Sequence, residues 1–260
     1  MRQWRKIQNY FWLRLCQKIR PLPTECLGSA YGGWVIPQNL LHPGAVCCLA
    51  GAGLDISLDV AIAEKNQSQV FILDPTPKAK SHFEELCQTI SEGRPAFYNQ
   101  KESYALKKEN IAYLHFIELG LWHQSGLIKF YEPTNPAHVS HSALNIQKTE
   151  KYFEAQVVRL GEWMQAQHLP SLDLLKLDIE GAEYQVIDSV LEDRLDIKVI
   201  CVEFDEIHSP LDSRYLSRIW QRVKALEKNA YQIIAIDREY NFTWVRKDVY
   251  DELKAYEKNR

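Results

Sequence analysis

The sequence predicts an α/β fold of the Rossmann-like type, with a mostly parallel, doubly wound sheet that ends in an antiparallel hairpin. Short, continuous apolar runs, typical of strands buried on both faces, alternate with helical segments along the chain. The first run stops at the loop Gly51–Gly53, and later runs stop at acidic residues. The last two runs, Tyr231–Ile236 and Phe242–Arg246, follow each other closely, which favours a closing hairpin.

The individual strands and helices are predicted from apolar runs, helical periodicity and breaks at glycine or proline. The predicted strands are Ala45–Ala50, Val70–Leu73, Ile111–Leu119, Leu127–Tyr131, Leu172–Leu177 and Val199–Phe204. The predicted helices cover residues 54–65, 77–91, 159–168, 186–191 and 211–229. The polar segment Glu132–Thr149 has no hydrophobic periodicity, and we expect a long loop that is functional or disordered.

The overall composition is that of an ordinary globular protein. The chain has 260 residues, of which 46% are hydrophobic and 25% charged, which suits one α/β domain with a substantial core. The formal net charge of -3 gives no electrostatic reason to expect a nucleic acid partner. Six cysteines without a C-x-x-C pair favour reduced thiols in a cytoplasmic protein. No apolar stretch approaches the roughly 20 residues of a membrane span.

The N-terminus differs in composition from the rest of the chain. Residues 1–20 carry six lysines and arginines and no acid. Apolar side chains recur there at helical spacing, at Trp4, Ile7, Phe11, Leu15 and Ile19. Such a helix either packs on the domain, which we favour, or lies on an anionic membrane surface as a peripheral contact. We expect an N-terminal amphipathic helix and linker over residues 1–30 and the main domain over residues 31–260.

The glycine loop and an acid on the next strand together indicate a nucleoside-type cofactor. Gly51-Ala52-Gly53 lets the backbone turn sharply and approach a ligand closely. Asp74 follows Gly53 by 21 residues, at the end of the next predicted strand. An acid about 20 residues after the loop is where a Rossmann-type fold binds ribose hydroxyls. Each feature is weak alone, but their order along the chain makes the combination informative.

The same region distinguishes between two cofactors. A dinucleotide-binding loop needs a third glycine, which would fall at Ile56 here. Asp55 opens the following helix, where it would repel a pyrophosphate. S-adenosylmethionine has no phosphate and carries a sulfonium and an ammonium group, so it fits this acid better than NAD does. The predicted cofactor-binding residues are Gly51, Ala52, Gly53, Asp55 and Asp74.

Acidic residues follow the predicted strand Leu172–Leu177. Three of them, Asp178, Glu180 and Glu183, lie within six residues of each other. Glu183 has a purely structural alternative role at the N-terminus of the next helix. Asp178 and Glu180 fall where the rim of the sheet meets the predicted cofactor, so we expect them to be functional.

A further acidic group follows the predicted strand Val199–Phe204. It contains Glu203, Asp205 and Glu206, with His208 close behind. The carboxyl ends of neighbouring parallel strands lie at the same edge of a sheet. We therefore expect this group to lie beside the acids of the preceding strand and the glycine loop.

Several motifs together resemble one known family. The run LLKLDIEGAEYQVI strongly resembles the signature of FkbM-type methyltransferases. The stretches GAGLDISLD and LDPTP, followed by GLW and IKFYEPTNPAHVSHS, are similar to a subgroup that includes proteins related to animal METTL-type membrane proteins. The resemblance covers roughly residues 30–246, with the motifs in the same order.

This resemblance implies a class I methyltransferase fold over the domain 31–260 and S-adenosylmethionine as the methyl donor. It also implies, typically, O-methylation of a hydroxyl on a sugar or natural product. The matching donor-binding positions are the Gly51–Gly53 loop and Asp74. Leu54 departs from the subgroup, which tends to have a polar residue there, and this leaves the details of the cofactor contact open.

Methyl transfer is an in-line displacement, so the enzyme must mainly align the nucleophile and remove or mask its proton. We expect Asp178 to orient or deprotonate an acceptor hydroxyl, helped by Glu180 or His208. In a variant of this mechanism, a divalent cation such as Mg²⁺ is held by Asp178 with Glu203 or Asp205.

Candidate acceptor-binding residues lie in two loops. His138 and His141 lie in a Ser- and His-rich stretch of the polar segment and suit substrate recognition better than zinc. Tyr31 and Trp34 offer an aromatic surface for a sugar or adenine, although simple packing of Trp34 is an alternative. The expected partner is a small-molecule or glycan acceptor. Two rival functions are a nicotinamide-dependent oxidoreductase and a non-catalytic nucleoside-binding protein.

Overall fold

The computed structural model describes residues 18–98, 102–132, 142–145, 149–237 and 239–258. The predicted N-terminal helix lies outside these residues up to position 17, and so do His138 and His141. None of the helices in the described ranges combines the length and the apolar composition that are needed to cross a bilayer.

Twelve strands occur in the described part of the chain: β1 (Thr24–Leu27), β2 (Trp34–Pro37), β3 (Val46–Ala50), β4 (Gln69–Leu73), β5 (Leu114–Ile117), β6 (Gly120–Leu121), β7 (Gly126–Tyr131), β8 (Tyr152–Val158), β9 (Leu172–Leu177), β10 (Ile197–Val202), β11 (Tyr231–Ile236) and β12 (Phe242–Arg246). The helices there are α1 (Ser57–Asn66), α2 (Pro77–Ser91), α3 (Leu160–Ala166), α4 (Glu183–Glu192), α5 (Tyr215–Lys228) and α6 (Lys247–Lys258). Two 3₁₀ helices span Lys108–Tyr113 and Asp205–Ile207.

The central sheet has seven strands in the order β11-β12-β10-β9-β3-β4-β5. The strands from β10 to β5 are mutually parallel, whereas β12 pairs antiparallel with both β10 and β11. This confirms the predicted doubly wound, mostly parallel sheet and its C-terminal antiparallel hairpin. The fold is the Rossmann-like α/β fold.

The point where the strand order reverses lies between β3 and β9. From β3 the chain continues outward through β4 to β5, and it later returns to β9 on the other side of β3. The connections therefore leave a crevice beyond the carboxyl ends of these two central strands. Ligands of open α/β sheets bind in such a crevice.

The hydrophobic core lies on both faces of the sheet. Along β3, Cys47 and Leu49 belong to one apolar cluster, whereas Cys48 and Ala50 belong to a second one. This alternation follows from the period of two in a strand, so the two clusters occupy opposite faces. All six residues of β9 are buried, which agrees with its continuous apolar run.

A small sheet of three strands, β6-β8-β7, lies beside the main sheet. Phe130 of β7 and Val157 of β8 are buried, while Leu127 and Tyr152 on the same two strands are exposed. Strand β8 was not predicted, because its sequence mixes apolar and polar residues without a long apolar run. Helix α6 was not predicted either.

The prediction of a single strand over Ile111–Leu119 is wrong in its first part. The 3₁₀ helix Lys108–Tyr113 occupies that part, and β5 begins only at Leu114. Asn110, which is buried, donates its side-chain N–H to the Glu64 carboxylate of α1 at 2.7 Å. This long-range hydrogen bond fixes the turn, and no local sequence pattern predicts the bond.

The N-terminal hairpin packs on the main sheet. Strands β1 and β2 pair antiparallel, so the hairpin joins residues on both sides of the predicted boundary at residue 31. Trp34 and Ile36 of β2 are buried. The Thr243 hydroxyl donates to the Val35 carbonyl at 2.6 Å and ties β2 to β12. The loop between β1 and β2 therefore has a fixed place at the carboxyl edge of the sheet.

Candidate active site

A cavity of about 880 Å³ opens at the carboxyl edge of the sheet, beyond β3 and β9. Sequence-predicted site residues from five separate segments line it: Tyr31, Trp34, Gly51, Ala52, Gly53, Asp55, Asp74, Asp178, Glu180, Glu203, Asp205 and His208. The shared rim that the sequence predicted is thus present. The volume of the cavity is in the range of pockets that hold small molecules and cofactors.

The two glycines of the loop after β3 are required for different reasons. Gly51 has a φ of 85°, and a Cβ there would lie 1.7 Å from the Asp178 carbonyl oxygen. The close backbone of the loop after β9 is therefore the reason that position 51 needs a glycine. The sequence had suggested a different reason, the close approach of a ligand. Gly53 has a φ of 55°, and a Cβ there would meet nothing within 4 Å. Its surroundings remain open on the cavity side.

Asp74 at the end of β4 organises the glycine loop. Its Oδ2 accepts hydrogen bonds from the backbone N–H groups of Ala52 at 2.9 Å and Gly53 at 3.2 Å. Its Oδ1 accepts from the N–H and the hydroxyl of Thr76 at 2.8 and 2.5 Å. The predicted ribose contact remains a prediction, since Asp74 lines the cavity and carboxylate oxygens accept more than one hydrogen bond.

Asp55 connects the glycine loop to the N-terminal hairpin. Its Oδ2 accepts from the Ser29 hydroxyl at 2.6 Å, and its Oδ1 accepts from the Ser57 N–H at 2.9 Å. A Cβ on Gly32 would lie 2.8 Å from the Asp55 carboxyl carbon, so the two loops are closely packed. Asp55, whose charge disfavours a pyrophosphate ligand, therefore also has a structural role.

Lys176 is a site residue that the sequence reasoning missed. It is a buried cation on β9, whose Nζ donates to the Gly51 carbonyl at 2.6 Å and lies 2.9 Å from Asp178 Oδ2. Burial lowers its pKa, but the acids Asp178, Asp59 and Glu203 together outweigh burial, so the pKa is raised. Its signal in the sequence was a single lysine inside an otherwise apolar strand. Such a charge is costly to bury unless it is paired.

Asp178 and Glu180 occupy the turn between β9 and α4. The side chain of Asp178 is about one-third exposed, at 32%, and lies against Lys176. Glu180 adopts a left-handed backbone conformation with a φ of 54°, which is uncommon for a residue other than glycine. The Ser142 hydroxyl donates to the Glu180 carbonyl at 2.5 Å. Ser142 of the polar segment is therefore anchored at this turn.

Glu183 has a structural role near the start of α4, which was the alternative to a functional role that its position in the sequence left open. It is fully buried, and its Oε1 accepts from the N–H groups of Ile179 at 3.1 Å and Gly181 at 3.0 Å. Burial raises the pKa of Glu183 to about 7, and burial together with Glu183 raises that of Asp205 well above its usual range. Glu183 disfavours ionisation of the adjacent Asp205, because two neighbouring negative charges repel each other, and a hydrogen bond joins the two carboxyls.

Glu203 and His208 lie on the same side of the cavity. Burial, followed by the nearby Asp178, raises the pKa of Glu203 to about 8. The His208 Nε2 lies 3.5 Å from Glu203 Oε1 and 3.1 Å from the Glu239 carbonyl oxygen, to which it can donate. Glu203 is therefore a carboxyl that holds or releases a proton near neutral pH, as general acid–base catalysis requires.

The two aromatic candidates differ in exposure. Tyr31 is 91% exposed at the tip of the loop between β1 and β2, and it lines the cavity mouth. Trp34 is only 3% exposed, and its ring centroid lies 5.8 Å from the Lys176 Nζ. Trp34 therefore packs at the base of the cavity, and Tyr31 alone of the two presents its ring to solvent.

The comparison with family models identifies the chain. The model of the methyltransferase FkbM domain matches residues 50–233, which is more than half of the sequence. The chain belongs to the FkbM methyltransferase family. The matched region contains the glycine loop, Asp74, Lys176 and the acidic turn at Asp178.

Two further comparisons were made with this FkbM methyltransferase. None of the curated proteins matches it. A solved structure with a similar fold is the fibrillarin pre-rRNA processing protein of Methanococcus jannaschii, at 12% identity. The similarity covers 82% of this chain and 70% of that one, with a TM-score of 0.39.

Membership in this family makes the protein an S-adenosylmethionine-dependent methyltransferase. The predicted magnesium site is not supported: within the described ranges no three side chains of His, Cys, Asp or Glu are arranged to hold a metal ion. The three proposed ligands are engaged otherwise or lie apart. Asp178 pairs with Lys176, Asp205 interacts with Glu183, and Glu203 lies near His208.

Proposed function

We propose that this FkbM methyltransferase transfers the methyl group of S-adenosylmethionine to a hydroxyl of a sugar, glycan or other natural product. The observation that carries the proposal is the placement of Asp178. Its carboxylate lies directly after β9, next to the glycine loop of β3, and is held there by Lys176. An acid fixed beside the donor loop is suited to align an acceptor hydroxyl for in-line attack.

The residues of the cavity fit the donor. The open space at Gly53 and the ordered loop Gly51–Gly53 leave room for a ligand along the backbone, and Asp74 lies at the position expected for ribose. The lining contains several carboxylates and, in the described ranges, Lys176 as its one lysine or arginine. S-adenosylmethionine supplies a methyl group activated by a sulfonium, and an acidic cavity stabilises that positive charge.

The chain itself must position the acceptor and handle its proton. Asp178 is held in place by Lys176, and its carboxyl oxygens can accept a hydrogen bond from the acceptor hydroxyl. His208, which lies beside Glu203, provides an imidazole nitrogen that can take up the proton. Tyr31 at the cavity mouth provides an exposed ring against which a sugar can stack.

The donor preference is tested by isothermal titration calorimetry with S-adenosylmethionine, S-adenosylhomocysteine and NAD. We expect micromolar binding of the two sulfur ligands and none of NAD. Asp74→Asn should weaken S-adenosylhomocysteine at least about tenfold, because the glycine loop loses its acceptor for two N–H groups. NAD binding tighter than that of S-adenosylhomocysteine would contradict the proposal and favour the oxidoreductase.

Asp173→Asn is the matched control for this measurement. Asp173 lies at the opposite end of β9 and accepts a hydrogen bond from the Val46 N–H at 2.8 Å. It too holds a strand backbone, but far from the cavity, so its loss should change stability and leave ligand affinity unchanged. Methylation of a panel of hydroxylated sugars is then measured with labelled donor. Tight donor binding without any methylated product across glycans and natural products would favour the non-catalytic alternative.

The cytoplasmic location and the membrane contact through residues 1–20 stay predictions. Fractionation of cells that express the full chain and a variant with glutamines in place of the N-terminal lysines and arginines tests both. If the chain pellets with membranes and the variant does not, the basic segment is a membrane contact rather than a packed cap.

A further inference from the structure

The junction between the glycine loop and α1 is held by a tyrosine from a distant segment. Ile56 occupies the N-cap position of α1, where its own apolar side chain cannot accept a hydrogen bond. The first N–H groups of a helix have no partner within the helix and need acceptors from outside. The buried N–H of Ile56 donates to the Tyr104 hydroxyl at 3.2 Å, across 48 positions of the sequence.

Tyr104 is buried in a short hairpin that also reaches the mouth of the cavity. Its backbone N–H donates to the Ala96 carbonyl at 2.8 Å, and the N–H of Tyr98 donates to the Glu102 carbonyl at 3.2 Å. The Tyr98 ring packs edge-on against the Tyr104 ring, with the centroids 5.1 Å apart. Tyr98 and Glu102 line the cavity, and Tyr104 is not among the described residues that do so. Tyr104 therefore supports the glycine loop from behind.

The hydroxyl of Tyr104 has a second partner, His82 of α2. The His82 Nε2 lies 2.8 Å from the hydroxyl oxygen. A hydroxyl has a single proton to donate. Because the oxygen already accepts the Ile56 N–H, this proton is available for His82 Nε2. If Nε2 donated instead, the tyrosine proton would have no acceptor among the described residues. The geometry therefore assigns the roles: Ile56 donates to Tyr104, and Tyr104 donates to His82.

The surroundings of His82 favour the neutral ring that this arrangement requires. Burial lowers the pKa of His82, although the carboxylates of Glu85 and Asp55 act in the opposite direction. Burial also raises the pKa of Tyr104, so its hydroxyl keeps the proton. A neutral histidine carries its proton on Nδ1 when Nε2 accepts a hydrogen bond. The two hydrogen bonds thus form one chain that runs from the Ile56 backbone to α2.

This chain fixes the part of the glycine loop that Asp74 does not reach. Asp74 accepts hydrogen bonds from the N–H groups of Ala52 and Gly53, in the first half of the loop. Ile56 lies three residues beyond Gly53, at the point where the loop enters α1. Without the Tyr104 hydroxyl, the first half would keep its anchor and the end of the loop would lose one. A ligand that binds along the loop would then have to order that end itself.

We propose that Tyr104 and His82 are positioning residues for the methyl donor: the tyrosine hydroxyl fixes Ile56 at the end of the glycine loop, and the imidazole fixes the tyrosine hydroxyl. The inference rests on the proposed function, which places S-adenosylmethionine at this loop. Neither side chain belongs to the described lining of the cavity, so both act through the backbone of Ile56. Loss of either hydrogen bond lowers the affinity for the methyl donor without removing a contact to it.

The experiment measures S-adenosylhomocysteine affinity by calorimetry and stability by urea unfolding, both on the full chain. Tyr104→Phe removes the hydroxyl and keeps the ring, and we expect it to weaken S-adenosylhomocysteine about fivefold. Tyr231→Phe is the matched control. Tyr231 is also 5% exposed, and its hydroxyl donates to the Ile197 carbonyl at 2.7 Å, but it lies outside the described lining of the cavity. The control should lose stability and keep its affinity. Equal affinities of the two variants overturn the proposal.

His82 gives a second test, which remains informative if Tyr104→Phe fails to fold. His82 is only half-buried on α2, and both replacements used here are good helix formers. His82→Leu removes the acceptor of the tyrosine proton, whereas His82→Gln supplies an amide oxygen in its place. We expect His82→Leu to weaken S-adenosylhomocysteine about threefold, and His82→Gln to bind within about twofold of the unmodified protein. Equal affinities of these two variants contradict a role for the hydrogen bond.

The protonation of the His82 ring is a further readout that a purely structural role would not fix. Long-range ¹H–¹⁵N spectra of the full chain at pH 8 should show a proton on Nδ1 and none on Nε2. A proton on Nε2 overturns the proposed chain of hydrogen bonds.

The unmodified protein separates this proposal from the proposed function. If S-adenosylhomocysteine does not bind it, the methyl-donor site fails and the positioning role fails with it. If S-adenosylhomocysteine binds the unmodified protein, Tyr104→Phe and His82→Leu equally tightly, only the positioning role is wrong.

Discussion

The two halves of the cavity treat their carboxylates in opposite ways. In the half at β3 and β4, Asp74 accepts four hydrogen bonds and Asp55 accepts two, all from the protein itself. In the half at β10 and β12, burial and neighbouring acids raise the pKa values of Glu203 and Asp205. Asp205 there is joined by a hydrogen bond to the buried Glu183, so that carboxyls pair with each other rather than with backbone N–H groups.

This difference separates a region that is preorganised by hydrogen bonds to the backbone from one in which carboxyls crowd each other. Backbone N–H groups around Asp74 are already aligned, so a methyl donor that binds the glycine loop requires little rearrangement. Carboxyls in the other half are unfavourable in their charged form, because they are buried beside one another. Lys176 lies between the halves and connects the Gly51 carbonyl to Asp178. Three predictions test this comparison.

The largest effect is expected where the two halves touch through their backbones. Gly51→Ala should destabilise the protein by about 4 kcal/mol or more, because its Cβ would meet a backbone oxygen that cannot move aside. Gly53→Ala is the matched control, with an open environment and only the strain of a left-handed conformation. It should cost about 1–2 kcal/mol. Urea unfolding measures both, and equal losses would contradict the close approach at Gly51.

The next effect concerns the buried cation between the halves. Lys176→Met should cost about 3 kcal/mol in urea unfolding, because Asp178 and the Gly51 carbonyl lose their partner. The double variant Lys176→Met/Asp178→Asn should lose less than the sum of the two single variants. Lys198→Met is the control: Lys198 also pairs with an acid of β9, Asp173, but its side chain is 37% exposed. It should cost under about 1 kcal/mol, and strict additivity in the double variant would rule out coupling at Lys176.

The third prediction is a pH dependence of stability. Glu203, with its pKa raised from 4.5 to about 8, stays protonated in the folded protein over a range where the unfolded chain ionises it. Its contribution to stability is complete below about pH 4.5 and is lost as the pH rises through about 8. The free energy of unfolding should therefore fall across this range, and Glu203→Gln should flatten that fall.

Urea unfolding at intervals from pH 5 to 8 measures this dependence. Glu252→Gln replaces an exposed glutamate of α6 and should leave the pH profile unchanged. If the profile of Glu203→Gln equals that of the unmodified protein, Glu203 does not titrate in this range, and the acidic half is less crowded than its geometry indicates.

By itself, the sequence determined the layers of the fold and the edge at which the site lies. Buried strands such as β9 show as continuous apolar runs because both of their faces are covered, and Gly51, Asp74 and Asp178 each end such a run. Since the carboxyl ends of parallel strands meet at one edge, these local signals were sufficient to predict that the residues lie together. The FkbM motifs pointed to the same loop and strands.

Only the tertiary structure decided what those residues touch. The close approach of Gly51 to the Asp178 carbonyl and the hydrogen bond from Lys176 to the Gly51 carbonyl both join positions far apart in the chain. Strand order brings them together, and neither periodicity nor local propensity encodes strand order. A lysine in an apolar run and a glycine at the end of one do not show by themselves which residues they contact. Their meaning comes from burial and from which neighbours are available to pair with them.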